Sequence, residues 1–377
     1  MAGRVEYLEG LRGIAAFTVF LGHFFPLYIR VALLMSFAYI LRDFSVCIFF
    51  VLSGYVLTFA FFSTADQEKL VSSAVRRYIR LLIPILFLLV VTYVLVYPGP
   101  GNLCDLSALP AMISQGFWGV FLQGQSAYVP NVQDYTGVLW TITIEFIGSF
   151  IVFSFAALFG QLRNRWVFYL VALVLFLNTY YLAFILGMIL ADLSANKSRY
   201  ASGIKNPWIL AAAVVIVSIL GIYPLDLTGI GISSGISALT NVVTTTGPFE
   251  DTILFQYGGN ISVENFIHII AAFGLLMVLL NSEWLKSALS HYIPVFLGKI
   301  SFSLYLIHMI VIFTFSSFIM AVLFEGPVNV LNGTIILIIT IPVLLGVSYL
   351  MYRYVDQPGI ILAKKMYDRF FNKRSSA

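Results

Sequence analysis

Charged residues are scarce in this sequence, and cysteine is nearly absent. Of the 377 residues, 10% are charged and two, Cys47 and Cys104, are cysteines. So few cysteines exclude a cysteine-rich scaffold and form no CxxC metal or redox motif; we expect two free buried thiols, with one disulfide as the alternative. The sequence also has no P-loop, glycine-rich dinucleotide-binding turn or metal-ligand cluster, and it therefore predicts no metal cofactor.

Long apolar runs dominate the composition instead. Hydrophobic residues make up 60% of the chain and the mean hydropathy is +0.96, which fits no water-soluble globular class. Runs of about 20 apolar residues, long enough to cross a bilayer, recur from end to end. The sequence therefore predicts an all-α polytopic membrane protein: one domain over 1–377, with a core of about 8–358 and a basic cytoplasmic tail over 359–377. Ten spans are predicted, at about 11–29, 44–62, 80–97, 137–158, 166–178, 180–194, 207–223, 264–281, 300–320 and 332–353.

Lysine and arginine are missing from two long connections, 98–136 and 224–263. Because basic residues accumulate in cytoplasmic loops, both stretches are assigned to the outer side. This orientation leaves only Arg30 and Arg42, of the 21 basic residues, outside, and it predicts that both termini are cytoplasmic. The asymmetry also explains the net charge of +4, so no nucleic acid partner is predicted.

The two outer stretches are polar and aromatic. Residues 98–136 include Trp118, Tyr128 and Tyr135, and residues 224–263 are rich in Gly, Ser and Thr. Such surfaces bind sugars through ring stacking and hydrogen bonds to hydroxyls. The alternative is an ordinary aromatic belt at the membrane interface.

Arg12 and His23 lie in the first predicted span with ten residues between them. Eleven helical steps return to within about 20° of the same face, about 16 Å further along the axis. An arginine inside hydrocarbon costs roughly 2.5–3.5 kcal/mol unless it faces protein, water or a ligand. The pair therefore predicts a functional site.

Glu145 in the fourth span is predicted to lie about 12 Å below the outer surface, and His23 about 9 Å below it. The two residues are therefore at similar depths. A carboxylate bonded to one imidazole nitrogen raises the basicity of the other, as a general base for a hydroxyl requires. We therefore expect Glu145 to orient His23. The alternative is a buried structural ion pair, or a histidine bonded to a backbone carbonyl.

Arg76, Arg77 and Arg80 precede the third span, and Arg12 lies near the inner end of the first. Clustered arginines offer bidentate bonds to phosphates. Alone, such a cluster is more typical of an anchor for lipid headgroups. Combined with a basic imidazole above it, the cluster favours a route for an acyl-coenzyme A thioester from the cytosol to an outer hydroxyl.

Several segments resemble, in order, the motifs of the acyltransferase-3 family of integral membrane acyltransferases. Leu11-Arg12-Gly13 through His23 is similar to the family's Arg-x10-His signature. Many members carry an acidic residue where Cys47 stands here, so any role of that carboxylate is absent or filled otherwise. The other matching segments are 49–55, 76–81 with Pro84, 139–145, 298–308 and 356–358.

The resemblance implies a ten-helix core that takes an acyl group, most often acetyl, from cytosolic acyl-coenzyme A. The acceptor would be a hydroxyl of an extracytoplasmic carbohydrate or a related molecule. Catalysis would depend on His23, with Arg12 as its essential partner. The expected location is the bacterial inner (plasma) membrane.

Three further residues have two interpretations each. Tyr305 and His308 share a helix face in the ninth span and would contact the pantetheine arm of acyl-coenzyme A or hold helices together. Ser53 is a candidate nucleophile, although Ser-Gly in a membrane helix is more typical of close packing.

A different function also fits buried His, Glu and Arg: a transporter or channel in which they form a proton or substrate relay.

Overall fold

A computed structural model describes residues 5–96, 109–122, 136–196, 206–224, 261–324 and 329–371. Most of these residues are helical and none forms a β-strand, which confirms the predicted all-α class. Cys104, Tyr128 and Tyr135 lie outside the described residues, as does most of the outer stretch 224–263. The helices are α1 (Glu6–Tyr28), α2 (Ala32–Thr64), α3 (Gln67–Val96), α4 (Leu109–Ser114), α5 (Trp140–Phe159), α6 (Arg165–Leu175), α7 (Tyr181–Ala195), α8 (Pro207–Gly221), α9 (Val263–Asn281), α10 (Glu283–Leu289), α11 (Tyr292–Val311), α12 (Ser317–Leu323), α13 (Val330–Met351) and α14 (Gln357–Phe371).

Each of the ten predicted spans overlaps one of these helices. Within the described residues, seven helices are long and apolar enough to cross a membrane, and three further apolar helices have 10–17 residues. The three shorter helices are α6, α7 and α8. The count of ten crossings and the cytoplasmic placement of both termini therefore stay predictions.

The helix α3 begins well before the third predicted span. Its first residue is Gln67, so the segment over 67–79, predicted as part of an inner connection, is helical. The segment contains no glycine or proline and is rich in strong helix formers such as Glu, Lys, Leu, Ala and Arg. As a consequence, the three clustered arginines lie within a regular helix rather than ahead of it.

Part of the predicted outer connection 98–136 is also helical. The segment comprises α4, a π-helical turn over Gln115–Gly119 and a last turn over Val120–Leu122. Its backbone lies close to α3: a Cβ added at Gly116 would lie only 2.6 Å from the Leu86 side chain. The Tyr78 hydroxyl donates to the carbonyl of Phe117 at 3.0 Å. This segment therefore packs against a membrane helix instead of forming a solvated loop.

The helices group into two compact units. Unit 1 comprises Met1–Gly22, Ala32–Leu70 and Gly148–Gly298. Unit 2 comprises His23–Val31, Val71–Ile147 and Lys299–Ala377. The prediction of one domain over the whole chain stays a prediction.

Within unit 1, glycines let α2 and α7 cross with their backbones close together. A Cβ at Gly54 would lie 2.1 Å from the carbonyl oxygen of Phe184. A Cβ at Gly187 would lie equally close, 2.1 Å, to the carbonyl oxygen of Val51. Small residues allow this approach in membrane helices. The close-packing interpretation of the Ser-Gly pair in α2 is thereby confirmed at its glycine.

Within unit 2, the last residues of α1 are anchored to a π-helical turn, Ile312–Ser316, that follows α11. The Tyr28 hydroxyl donates to the carbonyl of Ile312 at 3.1 Å and lies 2.8 Å from the Ser317 hydroxyl. A π turn changes the regular backbone pairing of the helix, so its carbonyls can accept other donors. This contact holds the end of α1 in register with the end of α11.

Candidate active site

Two histidines meet in unit 2. Nδ1 of His23, on α1, lies 3.2 Å from Nε2 of His308, on α11, and the ring centroids are 5.1 Å apart. His308 is fully buried and His23 is half-buried. We refer to these two residues as the histidine pair.

Sequence reasoning interpreted His308 as a contact of the coenzyme A arm or as a residue that holds helices together, and it missed this pairing. The span was predicted to begin at residue 300, which placed His308 some 8–12 Å from the inner surface. The structure begins α11 at Tyr292, so His308 is sixteen residues, about 24 Å, along the helix. An earlier helix start would have predicted a depth closer to that of His23.

The ring of His308 is fixed by the backbone of its own helix. Its Nδ1 lies 2.7 Å from the carbonyl oxygen of Tyr305 and 3.3 Å from that of Leu304. The Tyr305 side chain points to α5, where its hydroxyl lies 2.9 Å from the Thr141 hydroxyl. Tyr305 and His308 thus each form polar contacts: Tyr305 with Thr141 of α5, and His308 with the backbone of α11 and with His23.

Glu145 and Arg77 form an ion pair between α5 and α3. The guanidinium of Arg77 donates to the Glu145 carboxylate, and the two side chains are 10% and 17% exposed. Sequence reasoning placed Arg77 in an inner layer and Glu145 in an outer layer, whereas this contact joins them. Because α3 starts at Gln67, Arg77 lies ten residues, about 15 Å, into the helix. The role of Glu145 in orienting His23 stays a prediction.

The other predicted site residues lie on the same helices. Arg76 donates from Nε to the carbonyl of Ser72 at 2.9 Å, and its side chain is half-buried. Arg80, one turn further along α3, and Arg12, on α1, are also half-buried. Their roles stay predictions. Among the described residues, no three His, Cys, Asp or Glu side chains come together as metal ligands.

The polar groups of unit 2 follow one another along the helix axes. On α11, Tyr305 lies one turn before His308 of the histidine pair, and on α5, Thr141 lies one turn before Glu145 of the ion pair. The contact between Tyr305 and Thr141 connects the two helices. The series offers two imidazoles, two hydroxyls and a guanidinium–carboxylate pair within unit 2.

Cys47, at the position where many relatives were expected to carry an acid, lies in unit 1. Its thiol is fully buried and free, and Sγ lies 3.8 Å from the carbonyl oxygen of Asn265. The expectation of a free buried thiol is therefore confirmed for Cys47.

Comparison with known proteins decides what kind of enzyme these helices form. The family model described as an acyltransferase domain matches residues 5–353. The chain belongs to the acyltransferase-3 family. This multi-pass membrane acyltransferase thus carries the predicted Arg12 and His23 signature inside the matched region.

One curated relative is also similar over most of its length. The O-acetyltransferase PaAT-1 of Phomopsis amygdali is 25% identical over 370 residues, a match that covers 82% of this chain and 72% of that protein. No solved structure shows significant similarity to the chain.

Proposed function

We propose that this acyltransferase takes an acyl group, in the simplest case acetyl, from cytosolic acyl-coenzyme A. The acceptor is a hydroxyl of an extracytoplasmic carbohydrate or another hydroxyl compound. The observation that carries the proposal is the histidine pair: a half-buried imidazole held by a second histidine within the helices of an acyltransferase. The similarity to a protein named O-acetyltransferase supports acetyl as the group and oxygen as its acceptor atom.

His23 acts in this mechanism as the general base. Its imidazole takes the proton from the acceptor hydroxyl while the hydroxyl oxygen attacks the carbonyl carbon of the thioester. The carbon–sulfur bond then breaks, and the leaving thiolate of coenzyme A takes the proton back from the imidazolium. The ester and free coenzyme A are released, and His23 returns to its neutral form. A positioned base of this kind accelerates such a reaction by about 10²–10⁴.

The arginines bind the donor in this proposal. Arg12 stabilises the thioester oxygen or a phosphate, and Arg76, Arg77 and Arg80 hold the phosphates at the nucleotide end of coenzyme A. Two observations on Arg77 support the assignment. Glu145 holds its guanidinium in place, and within the described residues its buried Nε has no hydrogen-bond partner and is available to donate. Tyr305 lies between the two ends of the polar series and would contact the pantetheine arm.

We assign the protein to the bacterial inner (plasma) membrane. The charge asymmetry of the sequence supports a cytosolic site for the donor and an outer site for the acceptor. In that membrane a single bilayer separates cytosolic acyl-coenzyme A from an extracytoplasmic glycan.

Donor binding tests the proposal. Calorimetry with the full-length protein in lipid nanodiscs should detect binding of acetyl-coenzyme A. Replacing Arg80 by Gln should weaken this binding by about 10- to 150-fold, because a hydrogen bond to a charged group contributes about 1.5–3 kcal/mol. A matched substitution, Lys365→Gln on the exposed surface of α14, should leave the affinity unchanged.

The outcome separates the enzyme from the alternative of a transporter or channel. A relay protein has no site for the thioester, so no heat of binding at millimolar acetyl-coenzyme A would contradict the proposal. Binding that is equally tight in the Arg80→Gln protein would instead identify the arginine cluster as an anchor for lipid headgroups.

A further inference from the structure

We infer that His308 is a positioning residue that holds His23 in the one neutral tautomer able to act as a base. The inference rests on the proposed role of His23. It is carried by the contacts of three ring nitrogens in the histidine pair.

The proton on the His308 ring has a defined position. Its Nδ1 faces two backbone carbonyl oxygens, those of Tyr305 at 2.7 Å and Leu304 at 3.3 Å. A carbonyl oxygen has no proton to donate and only accepts hydrogen bonds. Nδ1 of His308 therefore carries the proton.

The other nitrogen of the same ring, Nε2, faces His23. A neutral imidazole has a single N–H, so Nε2 of His308 is a bare acceptor. The charged form would carry a proton on both nitrogens, but an imidazolium costs free energy at a position with 0% exposure. Nε2 of His308 therefore faces His23 as an acceptor.

The acceptor Nε2 of His308 determines the tautomer of His23. Its Nδ1 lies 3.2 Å from that acceptor and must carry the proton to form the hydrogen bond. Nε2 of His23 is then unprotonated and can take a proton from a hydroxyl. When it does so, Nδ1–H still donates to His308, which keeps the ring oriented through the reaction. A carboxylate has this role in the Ser-His-Asp triad, where losing the correct tautomer lowers kcat by about 10⁴.

The helices that carry the two histidines are held in register close to the pair. Five residues beyond His23, the Tyr28 hydroxyl is bonded to the carbonyl of Ile312 and lies 2.8 Å from the Ser317 hydroxyl. These partners follow His308 on the same run of helix. The Tyr28 contacts therefore hold the two helices together close to the two rings.

Two amides at position 308 separate the role of each nitrogen. In His308→Gln the terminal amide reaches the place of Nε2, and its oxygen can accept from His23. In His308→Asn the shorter amide reaches the place of Nδ1 and keeps only the bond to the helix backbone. We expect His308→Asn to lower kcat by about 10²–10⁴, the contribution of a general base. We expect His308→Gln to retain at least about tenfold more activity than His308→Asn, with KM for acetyl-coenzyme A unchanged in both.

The controls separate this inference from the proposed function. His291→Gln changes an exposed histidine and should leave kcat unchanged. If His23→Ala loses activity but the Gln and Asn variants of His308 are equally impaired, the positioning role is wrong and the proposed base stands. If His23→Ala keeps full activity, the proposed function itself is wrong.

A measurement on the unsubstituted protein covers the case in which the variants do not fold. The chain has four histidines, so ring ¹⁵N spectra of a histidine-labelled sample are simple to assign. The expected pattern has protonated Nδ1 and bare Nε2 on both His23 and His308. A protonated Nε2 on His23 at neutral pH would overturn the inference.

Discussion

At the scale of single residues, the ion pair of Arg77 and Glu145 shows how closely stability and binding are linked in unit 2. Both side chains are mostly buried, so neither charge is well solvated without the other. Removing one partner of a buried pair leaves an uncompensated charge, whereas replacing both is often nearly neutral. The same arginine is proposed to bind phosphate, so its contact with Glu145 contributes both to stability and to donor binding.

A double-mutant cycle tests this pair. Arg77→Gln and Glu145→Gln should each lower the midpoint of thermal unfolding, because each leaves one buried charge unpaired. The double substitution should be more stable than either single one, with a coupling free energy of about 0.5–3 kcal/mol. Thermal unfolding of the four proteins in one detergent gives this value. Additive effects of the two substitutions would show that the side chains do not interact.

Individual site residues were predictable from the sequence only in part. The first helix shows Arg12 and His23 directly, since polar side chains inside an apolar run are costly and eleven residues return to the same face. Their partners are distant in sequence. His308 is 285 positions from His23, and Glu145 is 68 positions from Arg77. Such pairings depend on where each helix starts and how helices pack, which no local pattern specifies.

At the scale of helices, close crossing depends on glycines at positions where a side chain would not fit. The crossing of α2 and α7 has one such glycine on each helix, at Gly54 and Gly187. In both cases the obstacle is a backbone carbonyl of the other helix, which cannot rotate away as a side chain can. Separating the helices is then the main way to accommodate a larger residue.

We therefore expect Gly54→Ala to destabilise the protein severely. The added Cβ would lie 2.1 Å from the Phe184 carbonyl oxygen, so α2 and α7 would have to move apart. Gly346→Ala is the matched control: it lies on an exposed face of α13, and a Cβ there has no atom within 4 Å. Alanine should be neutral there or stabilise the helix by up to about 1 kcal/mol. Yield of monodisperse protein and its unfolding temperature compare the two; similar values would contradict the crossing.

Helix existence was better predicted than helix length. Hydropathy locates apolar runs, and every predicted span overlaps a helix. Hydropathy does not register polar helical ends, so the start of α3 at Gln67 was placed too late. The start of α11 at Tyr292 was also placed too late, because residues 292–299, which include Pro294, Gly298 and Lys299, were assigned to a basic connection. The segment over 109–122 was assigned to the outer connection 98–136, which contains no lysine or arginine and is rich in Gly, Pro and aromatic residues. Its apolar residues Val120 and Phe121 are fully buried, which shows that tertiary packing determines its structure.

At the scale of the whole molecule, the distribution of charge predicts an orientation in the membrane. The stretches 98–136 and 224–263 carry no basic residue, and nearly all lysines and arginines are assigned to the other side. The proposed route of the acyl group depends on this orientation, since the donor must be cytosolic and the acceptor external.

Labelling of single cysteines tests the orientation independently of the chemistry. In a background without Cys47 and Cys104, an impermeant thiol reagent added to intact cells should label cysteines placed at Tyr128 and Thr245. Cysteines placed at Lys197 and Lys364 should react only after the membrane is opened. The reverse pattern would place both termini outside and would exclude a cytosolic donor site.

The most direct test of the proposed enzyme is the turnover of His23→Ala. Full-length protein reconstituted in vesicles receives labelled acetyl-coenzyme A, and transfer of the label to a hydroxyl acceptor is measured beside release of free coenzyme A. Removing the base should lower transfer by about 10²–10⁴ while donor affinity stays unchanged. The control His291→Ala, at an exposed position, should transfer the label at the rate of the unsubstituted protein. Equal rates for His23→Ala and His291→Ala would contradict catalysis by the histidine pair.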